Sequence, residues 1–263
     1  METADEIKSC CASLYASDWA RLLLGDSFHP GGVRLTEHLG RLLGLDERSR
    51  VLDVASGPGT SALHLARRFG CRVLGVDLAA GNVEAANETA RACGLESRAS
   101  FEVGDAERLT LGANFDAVLC ECAFCTFPDK AAAARTMASC LRPGGRIGLS
   151  DLTRRGPLPA ELDGLLAWVA CIADARPLDE YRRHLESAGL SIARTEDCSS
   201  VLAEMVRDIE TRLMGLRLAL ETRRIDLPGV DLGRAAAMAK SALQAIREGT
   251  LGYAILTGTR ASP

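Results

Sequence analysis

Short apolar runs alternate with segments of helical periodicity through the middle of the chain. The apolar runs predict strands near residues 50–54, 72–76, 99–103, 115–120 and 146–151. Apolar residues at helical spacing predict helices between them, near 60–69, 80–93 and 129–141. Because strands and helices alternate, the pattern predicts an α/β fold in which a parallel sheet carries helices on both faces.

The two flanking segments are predicted to be mainly helical. Residues 1–49 carry leucines at helical spacing on both sides of a turn-rich loop at 25–32, which predicts an N-terminal helical segment. Beyond residue 151 the pattern predicts helices near 160–173 and 178–188, and strands near 191–195 and 252–257. Helical spacing over 201–220 and 232–248 predicts an insertion before the last strand, which we interpret as a lid, a subunit interface or ordinary core packing.

Composition and charge argue against several classes of protein. With 263 residues, 47% of them hydrophobic, the chain can bury one substantial core. The net charge is −4 with both signs interspersed, so we expect no nucleic-acid partner. No apolar run approaches a membrane span and the first ten residues are polar, so we expect a cytoplasmic protein, a monomer or a homodimer, with no membrane partner.

A glycine-containing turn follows the first predicted strand. The strand 51–54 leads into the turn 56–60 and then a helix, and the second strand ends at Asp77. Glycines let the backbone approach a ligand closely, and an acid at the end of the second strand can accept hydrogen bonds from ribose hydroxyls. The layout indicates a nucleoside-binding βαβ unit. A dinucleotide fingerprint would place a third glycine at Ala62, which is a mild departure because alanine is sometimes accepted there. The acidic Asp53 within the first strand argues more strongly against an NAD-type domain.

The ordered motifs over residues 50–151 resemble the class I S-adenosylmethionine (SAM)-dependent methyltransferases of type 11/25. The first motif is an acidic strand residue, Asp53, followed by Gly57 and Gly59. Later landmarks are Asp77 after strand two, residues 103–106 after strand three, strand four at 115–120, and the turn 141–146 before strand five. The resemblance implies a Rossmann-like, seven-stranded, mostly parallel sheet whose last strand lies antiparallel beside the fifth.

The resemblance also implies SAM as the cofactor and methyl transfer as the activity. Asp53, Gly57 and Gly59 would shape the turn around the methionine moiety and the ribose. Asp77 would accept hydrogen bonds from the ribose hydroxyls, and Asp105 with the backbone of Ala106 would hold the adenine. The full predicted cofactor set is Tyr15, Asp53, Ala55, Ser56, Gly57, Gly59, Asp77, Leu78, Asp105, Ala106 and Glu121.

Four segments follow from this assignment. We expect an N-terminal helical cap at 1–49, a SAM-binding Rossmann-like core at 50–198, and a helical insertion at 199–249. Residues 250–263 would supply the final strand of the core and a tail.

The segment after strand four is expected to face the methyl group. Nucleobase and amide methyltransferases often carry an Asn/Asp-Pro-Pro-aromatic turn there, whereas this chain has Glu121 and Cys122. Cys120, Cys122 and Cys125 form a C-x-C-x-x-C pattern, but zinc usually takes four ligands in two spaced pairs. The cysteines are therefore interpreted either as buried apolar residues or as ligands of a soft, thiophilic substrate.

A weaker resemblance to arsenite methyltransferases supports the thiophilic alternative. In that family a cysteine follows the fifth strand, and Cys171 followed by the turn 188–190 looks similar. Cys10 and Cys11 could correspond to further cysteines of the family. We thus predict Cys122 and Cys171 as catalytic residues, and Cys120, Cys122, Cys125 and Cys171 as metalloid ligands.

A hydroxyl or carbon acceptor would instead need a base, for which His29 and Glu121 are the candidates. Tyr15 and Trp19 would cover the cofactor or pack in the core. The leading hypothesis is a SAM-dependent methyltransferase of a small molecule, with a metalloid, metal or thiol as one acceptor class. The alternatives are an O- or C-methyltransferase of a natural product or quinone, and a non-catalytic metalloid binder on a SAM scaffold.

Overall fold

The computed structural model of the protein describes residues 29–159, 162, 172, 174–221 and 231–261. Seven strands and seven α-helices lie within these residues. The strands are β1 (Arg50–Val54), β2 (Arg72–Asp77), β3 (Ala99–Val103), β4 (Phe115–Glu121), β5 (Leu141–Arg154), β6 (Leu190–Asp197) and β7 (Leu251–Arg260). The helices are α1 (Gly32–Leu42), α2 (Thr60–Phe69), α3 (Ala80–Ala92), α4 (Lys130–Cys140), α5 (Leu178–Ser187), α6 (Ser199–Glu221) and α7 (Leu232–Arg247).

All seven strands belong to one sheet, in the order β3-β2-β1-β4-β5-β7-β6. Strands β1 to β5 pair in parallel, whereas β7 runs antiparallel between β5 and β6. This confirms the predicted seven-stranded sheet and the antiparallel position of the last strand. The strand order reverses between β1 and β4, and the carboxyl ends of neighbouring strands diverge at such a point to leave a crevice.

Helix α1 lies directly on β5 because a glycine allows the close approach. A Cβ atom added at Gly148 would lie 2.9 Å from Leu39 Cδ1 and 3.0 Å from Leu43 Cδ1. The guanidinium of Arg146 also donates a hydrogen bond of 2.6 Å to the carbonyl oxygen of Leu43. The sheet therefore fixes the position of α1 at two places.

Strand β5 is longer than its predicted span of 146–151. Its first residue, Leu141, pairs with Phe115, and the register then shifts so that Ala117 pairs with Arg146. The predicted turn at 141–146 is thus an irregularity within the strand, where Gly144 has φ 72°. The extra residues bulge out of the ladder between two paired positions, which a hydrophobic pattern does not reveal.

The insertion before the last strand forms two helices, as predicted. Helices α6 and α7 pack against each other and both contact β7. Met214 and Leu218 of α6 are 67% and 62% exposed. None of the helices in the described part of the chain combines the length and hydropathy needed to span a bilayer.

Several predictions fall outside the described residues. The N-terminal predictions affected are those for Cys10, Cys11, Tyr15 and Trp19. Of the predicted helix at 160–173, only residues 162 and 172 are described, so Cys171 is also outside. The structure therefore carries no statement about the role of these side chains.

Candidate functional site

A cavity opens at the carboxyl ends of β1, β2 and β4, where the strand order reverses. It is lined by His29, Asp53, Ala55, Ser56, Gly57, Pro58, Thr60, Ser61, Asp77, Leu78, Asn82, Gly104, Asp105, Ala106, Glu121, Cys122, Ala123, Thr126 and Phe127. Nine residues of the predicted cofactor set are among them; Gly59 is not, and Tyr15 lies outside the described residues. None of the described residues of α6 and α7 lines the cavity, so the described parts of these two helices do not border it.

The turn after β1 is built from three residues with left-handed backbone. Ala55, Gly57 and Gly59 have φ 58°, 54° and 83°. At Gly59 a Cβ atom would lie 2.7 Å from the ring of Phe101, so this glycine is required for packing as well as for its backbone angle. Gly57 borders the cavity itself, where the backbone is close to any bound ligand.

Asp77 ties this turn to the next helix. Its Oδ2 accepts a hydrogen bond of 2.8 Å from the backbone N–H of Gly57. Its Oδ1 accepts from the backbone N–H of Ala79 at 2.9 Å and from the side-chain amide of Asn82 at 3.2 Å. Asn82, which the sequence analysis did not single out, also lines the cavity. The carboxylate is thereby held rigidly at the edge of the cavity.

Asp53 occupies the floor of the cavity and is 2% exposed. In the sheet it pairs with Gly75 on one side and Leu119 on the other. Asp77 and Glu121 lie two residues beyond these partners, so strand alternation turns all three carboxylates to the same face of the sheet. Burial, followed by the negative charges of Glu121 and Asp77, raises the pKa of Asp53 well above its ordinary value.

Three buried polar atoms at the cavity have no hydrogen-bond partner among the described residues. They are Oδ2 of Asp53, Oγ of Ser56 and Oε1 of Glu121. Buried polar atoms are normally paired, and unpaired ones cost about 1–3 kcal/mol each. The unpaired carboxylate oxygens indicate a ligand that carries positive charge or hydrogen-bond donors.

Glu121 has one engaged and one unpaired oxygen. Its Oε2 accepts a hydrogen bond of 2.8 Å from the hydroxyl of Thr36 in α1. Nε2 of His29 lies 3.6 Å from the same oxygen. The carboxylate is therefore anchored on the side of α1, while Oε1 is left for a ligand.

Both ring nitrogens of His29 face protein groups. Nδ1 lies 3.2 Å from the carbonyl oxygen of Pro30, which only accepts, so Nδ1 carries a proton. Nε2 lies 3.2 Å from Ser61 Oγ and 3.3 Å from Thr36 Oγ1. Thr36 and Ser61 were missed by the sequence analysis. The contacts favour Glu121 over His29 as the group that meets a ligand.

Asp105 and Ala106 border the cavity beyond β3, as the resemblance implied. Oδ1 of Asp105 accepts a hydrogen bond of 2.9 Å from the backbone N–H of Glu107. The hydroxyl of Thr136 in α4 donates to the carbonyl oxygen of Ala106. These contacts fix the loop that closes this end of the cavity.

The predicted metalloid site is not formed by the described cysteines. Cys120 and Cys125 are fully buried in the hydrophobic core, and only Cys122 borders the cavity. Strand alternation explains the position of Cys120, because it places this side chain on the face of β4 opposite to that of Glu121, which lines the cavity. Burial also raises the pKa of the Cys120 thiol well above its ordinary value, which opposes a thiolate. Among the described residues, no three His, Cys, Asp or Glu side chains are grouped to hold a metal ion.

The sequence of the chain is similar to those of known methyltransferases. A family profile described as a methyltransferase domain matches residues 51–145. The chain is 32% identical to 27-O-demethylrifamycin SV methyltransferase of Amycolatopsis mediterranei over 241 residues, covering 87% of this chain and 83% of that protein. It is 34% identical over 178 residues to methyltransferase GfsG of Streptomyces halstedii, covering 66% of this chain and 64% of GfsG, just under two thirds of its length.

Solved structures share the fold at lower identity. The [4+2]-cyclase SpnF aligns with a TM-score of 0.79 and 23% identity over 100% of this chain and 98% of that chain. Phosphoethanolamine N-methyltransferase 2 of Haemonchus contortus, in complex with S-adenosylhomocysteine, aligns with a TM-score of 0.79 and 19% identity over 100% of this chain and 61% of that chain. At these identities the likeness concerns the fold, and the fold hosts more than one reaction.

Proposed function

The chain belongs to the SAM-dependent methyltransferases, and on this premise we propose that it methylates a hydroxyl group of a small organic molecule. Its cofactor is SAM. The unpaired Oε1 of Glu121 carries the proposal, because this oxygen is buried without a partner in a residue that lines the cavity, and it can take up a hydroxyl proton. The rifamycin relative, whose name specifies an O-linked position, supports the same class of acceptor.

The residues at the cavity fit SAM. The cofactor is a cation at neutral pH, because it carries a sulfonium and an ammonium group against one carboxylate. Asp53 and Glu121 present unpaired carboxylate oxygens to the cavity, and no lysine or arginine is among its described lining residues. Opposite charge in a buried site is favourable, since the low dielectric strengthens the attraction.

We assign the parts of the site as follows. Asp53, Ser56 and Gly57 hold the methionine moiety, Asp77 accepts hydrogen bonds from the ribose hydroxyls, and Asp105 with Ala106 contacts the adenine. Each carboxylate oxygen has two acceptor sites, so Oδ2 of Asp77, which accepts only from Gly57 among the described residues, keeps one site for this task. When bound, SAM supplies an electrophilic methyl carbon on its sulfonium.

The protein itself then contributes to methyl transfer by positioning the reacting groups and by accepting a proton from the acceptor. A hydroxyl oxygen is a weak nucleophile while it keeps its proton, and Glu121 is placed to accept that proton through Oε1. The buried Ala123 and the partly buried Phe127, which line the cavity with Glu121, limit water near the reacting groups. A thiolate or a metalloid acceptor would not need this base.

We further propose that the segments divide along functional lines. Residues 50–198 and the strand within 250–263 form the SAM-binding core, while 199–249 forms an insertion that packs on β7. Residues 1–49 would cap the acceptor side. The cytoplasmic location and the monomeric or dimeric state stay predictions.

An assay of S-adenosylhomocysteine release tests the proposal. The purified full chain is offered polyketide-type alcohols, phenols, thiols and arsenite, and products are analysed by mass spectrometry and NMR. We expect release with alcohols or phenols, an O-methyl product, and loss of turnover in Glu121→Gln but not in the matched control Cys122→Ser.

Other outcomes contradict the proposal in different ways. Turnover only with thiols or arsenite, lost in Cys122→Ser, would establish a thiophilic acceptor. A C-methyl product would move the acceptor atom from oxygen to carbon. SAM binding without turnover for any acceptor would point to a non-catalytic use of the scaffold, or to a reaction of another kind such as that named for SpnF.

A further inference from the structure

A fully buried hydroxyl lies beside the cavity without being part of its lining. Thr36 of α1 is 0% exposed, although its neighbours on the same helix face, Leu35, Leu39 and Gly40, are apolar and pack on the core. Burying a hydroxyl costs free energy unless it is hydrogen-bonded. A specific partner must therefore justify this position.

The partner is the carboxylate proposed as the base. Thr36 Oγ1 lies 2.8 Å from Glu121 Oε2, and a carboxylate oxygen can only accept, so the threonine donates. Thr36 has one hydroxyl proton, and this contact uses it. Ser61 Oγ lies 3.3 Å from Thr36 Oγ1 and 3.2 Å from His29 Nε2, so the serine hydroxyl can donate to either atom.

His29, Thr36, Ser61 and Glu121 form one buried polar cluster. Its hydrogen bonds can be assigned so that each donor has an acceptor. His29 donates from Nδ1 to the Pro30 carbonyl, Ser61 donates into the group, and Thr36 donates out of it to Glu121. Every described polar atom of the cluster has a partner except Oε1 of Glu121. The arrangement fixes one carboxylate oxygen of this cavity-lining residue and leaves the other without a partner among the described residues.

The position of Thr36 is independent of any ligand. One turn further along α1, Gly40 admits the ring of Phe69 from α2, because a Cβ there would lie 2.6 Å from that ring. On the sheet side, Gly148 admits Leu39 in the same way. Since both contacts are close packing of rigid elements, the hydroxyl is held in place before substrate arrives.

We propose that Thr36 is a positioning residue for methyl transfer: its hydroxyl holds Oε2 of Glu121 so that Oε1 is presented to the acceptor. The inference rests on the proposed function, because it assigns Thr36 a task only if Glu121 acts as the base. The orientation of a catalytic group affects the rate strongly, because even a small displacement of the group slows the reaction. Thr36 touches neither cofactor nor acceptor in this account.

The test uses Thr36→Val, Thr36→Ser, Glu121→Gln and the double variant Thr36→Val/Glu121→Gln of the full chain. Valine keeps the branched shape and removes the donor, whereas serine keeps the donor. We expect Thr36→Val to lower kcat about tenfold or more with the KM for SAM changed by less than about threefold. Thr36→Ser should restore kcat to within about threefold of the parent enzyme.

The double variant separates a positional role from a structural one. If Thr36 acts only through Glu121, adding Thr36→Val to the Glu121→Gln variant should lower kcat little further. Additive losses, an unchanged kcat in Thr36→Val, or a failure of serine to restore it would overturn the inference. Full turnover in Glu121→Gln would instead refute the proposed base, whatever Thr36 does. Thermal unfolding of each variant shows that the comparison is made between folded proteins.

Discussion

Ala55 and Cys122 adopt the same left-handed backbone conformation, with φ 58° and 54°, immediately beyond the neighbouring parallel strands β1 and β4. Both residues border the cavity. Non-glycine residues seldom occupy this region, because their Cβ atom crowds the backbone, and such positions cluster at functional sites. The two strands thus leave the sheet through matching bends on either side of the crevice.

We expect Ala55→Val to destabilise the protein by about 1–3 kcal/mol, because a β-branched side chain fits the left-handed conformation poorly. Equilibrium unfolding in urea measures the change. The matched control is Ala79→Val, since Ala79 is also part-exposed near the site but has φ −85°. An equal loss in both variants would show that side-chain size, and not the backbone angle, is responsible.

Gly75 lies beside Asp53 on β2, and we expect Gly75→Ala to disturb the cavity floor. The added Cβ would lie 2.4 Å from the ring of Phe101 and 2.7 Å from Ser56 Oγ. Overpacking of this kind typically costs about 1–3 kcal/mol, so the urea midpoint should fall. Gly81→Ala serves as the control, because nothing lies within 4 Å of its Cβ position and alanine in a helix should stabilise by about 0.5–1 kcal/mol. A stable Gly75→Ala variant would contradict the packing described around Asp53.

The buried carboxyl of Asp53 should make stability fall as pH rises. The pKa of Asp53 is raised by burial first and then by the charges of Glu121 and Asp77. The contribution of this carboxyl to the free energy of unfolding is therefore fully present below the ordinary pKa of 3.8, and it is lost as pH rises through the higher pKa of the folded state. Asp53→Asn removes this titration. We therefore expect the Tm of Asp53→Asn without SAM to exceed that of the parent protein increasingly as pH rises above 4.

Binding of a cation should act on the same carboxyl. Because positive charge nearby lowers the pKa of Asp53, SAM binding should release protons, and calorimetry in buffers of different ionisation enthalpy would detect them. Asp53→Asn should show less release. A parent protein and variant with the same Tm profile and the same proton release would refute a raised pKa at this position.

Asp77→Asn should weaken SAM binding by about 10- to 100-fold, measured by calorimetry. The substitution removes an acceptor that holds the Gly57 backbone and, in our proposal, an acceptor for the ribose. Glu102→Gln on β3 is the control, because this exposed side chain loses the same charge outside the cavity. Unchanged affinity in Asp77→Asn would remove Asp77 from the proposed cofactor site.

The sheet and most of the described cavity lining could be predicted because their signals are local. The strand 50–54, the glycines after it and Asp77 lie within thirty residues and form one βαβ unit. Each motif also places its side chain at the carboxyl end of a parallel strand, and these ends meet in the fold. The residues therefore came together without knowledge of distant contacts.

The contacts of Glu121 could not be predicted in this way. Its donor, Thr36, is 85 residues away in sequence and belongs to a different layer of the fold. The only local signal is a polar residue on an otherwise apolar helix face, which does not specify a partner. The cysteine pattern has a related limit, because spacing along the chain does not state which strand positions face the cavity.

The packing of α1 against β5 has a consequence for chimaeric proteins made from this chain and its relatives. A crossover at residue 49, the predicted limit of the cap, would exchange α1 and with it the donor to Glu121. A crossover just before His29 would keep His29, α1 with its contacts to Gly148 and Arg146, and the orientation of the base in one parental block. The proton-accepting group would then keep its original geometry in such chimaeras.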